Sequence, residues 1–387
     1  MNMCITPYSF AMGCIWTSIL TIIMRAIQKS KWTLQYFGVN NLLILYAFCI
    51  FRMTVPIEFS ATKVVPVEAV YNAVTSLCIK IKIGGTIPAG YLFLIIWCCG
   101  IVIKLFLQLR DYHISKQLLF LCTVIREGAA CELLEKLQNE KGDKRKIQIY
   151  RTPFDMPMEM GILHPVILLP DQEYDRQSLY YIMKHEYTHI LNRDAAVKLL
   201  LNLWSCIFWW NPTAYLLNLN IENILELKCD LKVTQGLKNE EKADYLSSIL
   251  QMIQGTAKKE GKVPSAKNDT SLYKKYVGEN LKKRFMCVSK CPQTTGKASV
   301  KYKTYMATVI MVYIILFFAS YSVVFQSKFD VPVEEVMTED NVYFLEPEAV
   351  FLRKTEGGYE VIYKNECVSV VDENIAQLMI EEGFEFQ

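Results

Sequence analysis

Four runs of the chain are apolar at nearly every position: residues 4–24, 34–51, 86–109 and 304–325. A helix needs about 20 mainly apolar residues to cross the hydrocarbon core of a bilayer, so each run predicts a membrane-spanning helix. The second is the least regular, because Asn40 and Asn41 near its start need polar partners in lipid. Between the third and fourth runs the pattern changes. Residues 116–142 repeat apolar positions at three-to-four spacing and predict a helix ending at Gly142. Residues 146–170 alternate, are rich in β-branched side chains and contain two X-Pro steps and a glycine, which predicts two strands joined by a turn. Residues 178–193 are amphipathic at helical period, with Ser178 as expected N-cap. The apolar run 195–210 is short for a span and is interrupted by Lys198 and Asn202, so it predicts a buried or interface-lying helix. Asn211-Pro212 ends it, and a further helix is expected from Pro212 to Gln235. Residues 256–303 are Lys-rich with interspersed Gly and Pro and predict a loosely structured linker, whereas 341–387 alternate around Glu-Gly-Gly and predict a small β-rich unit with a closing helix.

Charge orients this pattern. Short cytoplasmic loops carry an excess of Lys and Arg, and Arg25, Lys29 and Lys31 follow the first run directly. The N-terminus is therefore expected outside and the third run enters the cytoplasm. Residues 109–303 hold 30 Lys+Arg against 22 Asp+Glu, a net of +8, and residues 326–387 hold 4 against 15, a net of −11. Both flanks of the last run thus agree on an inside loop and an outside tail. A cleaved signal peptide is the rival for residues 1–24, but the run lacks a positive n-region and its charges lie on the wrong side. The apolar share of 52% and mean hydropathy of +0.18 fit a membrane protein. The 13 cysteines lie mostly in expected spans or the inside loop, where thiols stay reduced, so no disulfide framework is expected. The expected organisation is three membrane helices in 1–110, a cytoplasmic domain with basic linker in 111–303, a fourth membrane helix in 304–325 and a short acidic extracellular domain in 326–387.

The chemistry concentrates in 184-KHEYTHILNRD-194, which holds two of the four histidines. On a helix His185 and His189 are i and i+4, so both imidazoles leave one face a single turn apart, where they can bind one zinc ion. Glu186 is offset beside them, placed to take a proton from water and return it to a leaving amine. A catalytic zinc needs a third protein ligand. Glu226 in 226-ELKCD-230 is a candidate 37 residues after His189, Glu222 is its rival by spacing and Cys229 a softer one. Asp230, one turn beyond Glu226, can fix the tautomer of a ligand histidine, and Asp194 can cap the next helix or support the site. His164 has no second ligand nearby and reads as a surface or packing histidine. The run 271-SLYK-274 fits S-x-x-K, but no S-D-N or K-T-G element follows it, so it reads as coincidence and capture of a β-lactam by this chain is not expected.

In order within a basic loop between membrane spans, "GILHPVILLP", "HEYTHILNRD", "FWWNP" and "ELKCD" resemble the BlaR/MecR-type antirepressor metallopeptidases, over roughly residues 1–325. The resemblance implies a membrane zinc endopeptidase in signal transduction, of the kind that regulates antibiotic resistance. By the same resemblance His185, His189 and Glu226 bind Zn2+, Glu186 is the base, and Glu226 ranks above Glu222. The implied fold is an α-helical polytopic membrane protein with a cytoplasmic gluzincin-like α+β zinc-protease domain and a small β-rich extracellular tail. Two departures stand out: Leu231 follows Asp230 where the family often has an acidic residue, and the tail is about 60 residues where family sensors commonly carry a penicillin-binding domain of a few hundred.

The expected partners are membrane lipid and a protein or peptide substrate, by resemblance a helix-turn-helix repressor. Self-cleavage in the basic linker and a homodimer are both allowed, and no direct contact with nucleic acid is expected. An extended substrate is expected to add to residues 162–170 as the edge strand beside the active-site helix. The competing functions are a catalytically silent membrane receptor, which the intact His185, Glu186, His189 and Glu226 set argues against, and a constitutive quality-control protease.

Overall fold

The computed structural model describes residues 6–29, 38–58, 62–67, 73–74, 76–83, 87–153, 156–259, 281–289, 300–326, 350–355, 358–363, 366–371, 373–381 and 384–386. The chain divides into two compact units, one covering residues 1–65 and 69–326 and the other 66–68 and 327–387. Residues 271–274, with their S-x-x-K pattern, lie outside the described residues.

In the first unit three helices are long and apolar enough to cross a membrane, over Pro7–Gln28, Ala89–Leu121 and Thr304–Ser322. They belong to α1 (Pro7–Lys29), α3 (Ala89–Leu118, continued by one 3-10 turn) and α10 (Val300–Ser322). The second expected span is shorter: α2 (Val39–Thr54) has 16 residues, about 24 Å at 1.5 Å per residue, against a hydrocarbon core of about 30 Å. One face of it packs on protein, with Leu42, Leu45, Tyr46, Cys49 and Met53 buried, while Ile44, Phe48 and Phe51 on the other face are exposed. The Tyr313 hydroxyl of α10 donates to the Leu45 carbonyl at 2.8 Å. In contrast, α3 exposes Phe93, Ile96, Val102, Ile103 and Phe106 around its circumference, as a helix bathed in lipid does. Short strand pairs join β1 (Lys63–Pro66) to β8 (Val323–Gln326) and β2 (Lys82–Ile83) to β3 (Ile87–Pro88).

The apolar run after the histidine motif forms α6 (Asp194–Ile207), and α7 (Pro212–Val233) returns alongside it. Asn211 caps α7, its side chain accepting from the Thr213 amide at 2.9 Å, and Pro212 fills the first turn, where its missing N–H costs nothing. The α6–α7 hairpin packs along the apolar helices. Trp204 Nε1 donates to Thr54 Oγ1 at 3.1 Å, Phe208 stacks on Phe10 at 6.1 Å, Ser18 and Thr213 hydroxyls meet at 2.8 Å, and Arg25 Nη1 reaches Asn220 Oδ1 at 3.5 Å. Leu20, Met24, Leu42 and Tyr46 share one buried cluster with Leu201, Trp204, Leu217, Ile221 and Ile224. A 14-residue apolar helix need not span a bilayer to be buried along one when a return helix covers its other side. Helix α3 docks on the tip of this hairpin at Gly100, where any Cβ would overlap the Trp209 indole, and Trp97 Nε1 donates to the Ile207 carbonyl at 2.8 Å.

Residues 116–142 do not form the single helix expected. The first part completes α3 and its 3-10 turn, Thr123–Ile125 forms β4, and only Ala129–Lys141 is a new helix, α4, capped by left-handed Gly142. The next segment holds three strands rather than two: β5 (Gln148–Thr152), β6 (Met158–Met160) and β7 (Val166–Pro170). The sheet order is β4-β5-β7-β6, with β5 and β7 parallel and the other pairs antiparallel. This corrects the expectation that residues 162–170 form an edge. All five residues of β7 are buried between β5 and β6, as their unbroken apolar run fits, and the short β6 is the edge on the side of the histidine helix.

That helix, α5 (Arg176–Asn192), starts two residues earlier than expected. Asp175, not Ser178, is the N-cap; its carboxylate accepts from the amides of Gln177 at 3.0 Å and Ser178 at 2.9 Å. Leu179, Ile182, Met183, Tyr187 and Ile190 pack with α4 and the sheet, each burial stabilising by roughly 1.5–3 kcal/mol at most. The opposite face is left for chemistry. Helix α8 (Asn239–Lys259) and a helix over 281–289, α9, cover α5 and the end of α7 through Tyr181, Val233, Tyr245, Leu246, Ile249 and Val288. Part of the expected 256–303 linker is therefore ordered helix.

The second unit forms a sheet of order β11-β10-β9-β12, from β9 (Val350–Thr355), β10 (Gly358–Tyr363), β11 (Glu366–Val371) and β12 (Glu385–Phe386). Thr355 is the register partner of Gly358 in the antiparallel β9–β10 pair. Helix α11 (Glu373–Glu381) covers the sheet, and Leu352, Val361 and Ala376 form the core.

Candidate metal centre

Both motif histidines project from α5 into the space below α7, and both are buried, as is Glu186. Their Nε2 atoms lie 3.1 Å apart. Glu226 on α7 completes a triangle, with Oε2 3.5 Å from His185 Nε2 and Oε1 3.5 Å from His189 Nε2. Four tetrahedral bonds of about 2.0–2.1 Å put neighbouring ligand atoms about 3.3–3.4 Å apart, so this triangle has the size that zinc requires. Glu222, one turn earlier on α7, does not join it among the described residues.

The outer nitrogens are held by the surrounding protein. His189 Nδ1 meets Asp194 Oδ2 at 2.8 Å. The backbone makes this contact: Arg193, at φ 58°, is left-handed and turns the chain sharply between α5 and α6, bringing Asp194 back under the preceding turn. A non-glycine residue there costs about 1–2 kcal/mol, which the buried contact offsets. For His185 the support is indirect. Tyr245 Oη lies 2.9 Å from His185 Nδ1 and donates to Asp230 Oδ1 at 2.6 Å, whereas the direct Asp230 to His185 Nδ1 distance is 3.6 Å. Asp230 is in turn held by Arg284 of α9, whose Nε and Nη2 donate to its two oxygens at 2.7 Å each, and Arg284 Nη1 is 3.5 Å from Glu226 Oε2.

Cys229 also falls near His189, with Sγ 3.1 Å from Nδ1 and 3.4 Å from Asp194 Oδ2. It therefore faces the nitrogen turned away from the Glu226 triangle. Burial pushes its thiol up to about 12, partly countered by His189, which keeps it a neutral thiol. Exposed His164 makes no contribution. On the far side, Glu159 of edge strand β6 is paired with Lys198 of α6 at 3.3 Å.

The charges divide these carboxyls into two kinds. Burial alone would raise Glu226, but hydrogen bonds from His185 and His189 and the charges of His189 and Arg284 hold it well below the usual carboxylate range. Burial raises Glu186, and the pull of the two histidines, opposed by Glu159 and Glu226, does not restore it. One carboxylate stays ionised as a ligand would, and the other has raised affinity for a proton, as a base in proton transfer needs. Tyr245 and Arg284 are the site residues that sequence reasoning missed. Tyr245 has no local signature. For Arg284 a signal existed: Leu281, Phe285 and Val288 recur at i, i+4 and i+7, an amphipathic helix inside the Lys-rich stretch.

Residues 32–288 match the family model described as BlaR1 peptidase M56. The methicillin resistance mecR1 protein of Staphylococcus aureus strain Mu50 is 27% identical over 180 residues, covering 45% of this chain and 30% of that protein. The regulatory protein BlaR1 of Bacillus licheniformis is 22% identical over 165 residues, covering 41% and 27% respectively. The matched stretch thus spans less than a third of the length of these relatives.

Proposed function

The chain belongs to the BlaR1 peptidase M56 family, and from that membership we propose that it is a membrane-embedded zinc endopeptidase of a signalling system, acting on a cytoplasmic repressor of the helix-turn-helix class. The observation that carries this reading is the convergence of His185 Nε2, His189 Nε2 and a Glu226 oxygen pair at 3.1–3.5 Å beside buried Glu186. Zinc held by these three residues would polarise a peptide carbonyl and make water a nucleophile near neutral pH. Glu186 takes the proton of the attacking water and delivers it to the amide nitrogen as the C–N bond breaks. Asp194 and the Tyr245–Asp230 pair keep both Nδ1 atoms engaged, so each Nε2 is presented to the metal. One zinc per purified full-length chain is expected by metal analysis; a chain that takes up no metal would refute the reading.

A cytoplasmic placement of the centre is supported by α1 and α7 running side by side. Arg25, at the basic end of α1, contacts Asn220, and Glu226 is six residues further along α7, about 9 Å at 1.5 Å per residue. The metal centre then lies just past the end of α1 that the charge pattern turns inward. Substrate would add to β6, the sheet edge packed beside α5, rather than to enclosed β7. Binding of a peptide hydroxamate inhibitor is expected to slow hydrogen exchange at Met158, Glu159 and Met160. Protection confined to β4, the opposite edge, would rule this placement out.

A further inference from the structure

Arg284 is carried neither by the histidine helix nor by α7, yet it is largely buried, with 18% of its side chain exposed, and makes the only charged contacts to Asp230 among the described residues other than that of His185. Its fork closes on both oxygens of Asp230 at 2.7 Å, and its third nitrogen lies 3.5 Å from Glu226 Oε2. Asp230 itself is fully buried and holds Tyr245, which holds His185. Two of the three triangle residues therefore depend on one guanidinium, Glu226 directly and His185 through two hydrogen bonds. The helix that delivers it is fixed by Phe285 and Leu281 against the Tyr181–Tyr245 cluster, and by Cys287 in the cluster of the apolar helices. Eleven residues after its end, α10 begins.

We propose that Arg284 is a positioning residue of the metal centre, supplied from the segment that adjoins the last apolar helix, so that docking of this segment sets how tightly the metal is held. Removing the guanidinium leaves Asp230 as an uncompensated buried charge. It also frees Tyr245 to turn, so His185 loses its fixed orientation, and Glu226 loses the cation that anchors Oε2, the oxygen facing His185. A lysine keeps the charge but cannot reproduce two parallel N–H···O bonds to one carboxylate. The segment thereby becomes a control point: whatever pulls α9 out of its seat withdraws Arg284 and loosens the metal without touching a ligand.

This inference rests on the reading of His185, His189 and Glu226 as zinc ligands. It is tested by zinc retention of the full-length, zinc-loaded chain in detergent against a colorimetric chelator. Arg284→Ala is expected to release zinc at roughly 10- to 100-fold lower chelator concentration than wild type, Arg284→Lys to fall between, and Lys282→Ala, exposed on the same helix, to match wild type. Millimolar guanidinium is expected to restore retention in Arg284→Ala, which a merely structural defect would not allow. In an Asp230→Asn background, Arg284→Ala is expected to add less than its effect in wild type. If Arg284→Ala does not fold, Arg284→Lys decides. Variants that hold zinc as wild type does overturn this inference alone, and a wild type that binds no zinc overturns the ligand reading as well.

Discussion

Glu186→Ala is expected to abolish fragment formation while the purified chain keeps its zinc. Loss of a positioned general base typically costs about 10²- to 10⁴-fold in rate. The buried position of Glu186 leaves little water of its own to substitute for it. The residue is not part of the Nε2–Nε2–carboxylate triangle, so the metal has no reason to leave. Glu186→Gln keeps the volume and is expected to be equally inactive, which separates loss of proton transfer from loss of packing. Mass spectrometry of fragments from wild-type and variant chains in the same cells reads the result. Identical fragments from both would sink the assignment of Glu186 and favour a chain that signals without cleavage.

Glu226→Ala is expected to act on the metal itself. Structural zinc sites are worth about 10–16 kcal/mol across their ligands, so losing one of three protein ligands should weaken zinc by on the order of 10²- to 10³-fold or more. Zinc also competes with a proton here. In the metal-free chain, burial works against a charged His189, but its contacts with Asp194, Cys229 and Glu226 raise its affinity for a proton well above that of a free imidazole. A group raised in this way stabilises the folded state fully below its unfolded value of about 6.5, and the benefit declines as pH rises above that. Glu226, depressed, contributes above about 4.3 and loses its contribution as pH falls through its lower folded value. Glu186, raised by burial, begins to cost stability above about 4.3, so the chelated protein is expected to lose stability from about pH 6 to about pH 8, by up to about 1.4 kcal/mol per pH unit from His189 alone. The zinc-loaded chain is expected to hold its stability there, because the ion replaces the proton. Melting curves of the two forms at pH 6 and 8 check this, and parallel curves would mean that His189 carries no displaceable proton.

Much of the centre was legible because its parts are local. His185, Glu186 and His189 are fixed relative to one another by the 3.6-residue period alone, and the amphipathic face that buries them is visible in Leu179, Ile182, Met183 and Ile190. Asp194 was readable as a candidate, but its contact with His189 depends on left-handed Arg193, a conformation no local rule predicts for arginine. Glu226 could be ranked over Glu222 only by resemblance. The packing separates them, since rotation of α7 against α1 and α2 turns Glu226 toward the histidines. Residues 162–170 were misread as an edge because a short alternating strand and a short buried strand look alike when the chain that pairs with them, Met158–Met160, is only three residues long.

By itself the sequence determined the apolar helices, the inside and outside ends expected of them, the histidine helix and the type of metal it suits, since these rest on composition, charge and helical period. The tertiary structure alone decided that α6 and α7 lie along the membrane helices, that Tyr245 stands between Asp230 and His185, and that Arg284 arrives 54 residues after Asp230 to hold it. Those contacts join segments far apart in the chain. Their partners are chosen by which buried charges must be neutralised and which surfaces remain to be covered, and neither is defined until the helices have packed.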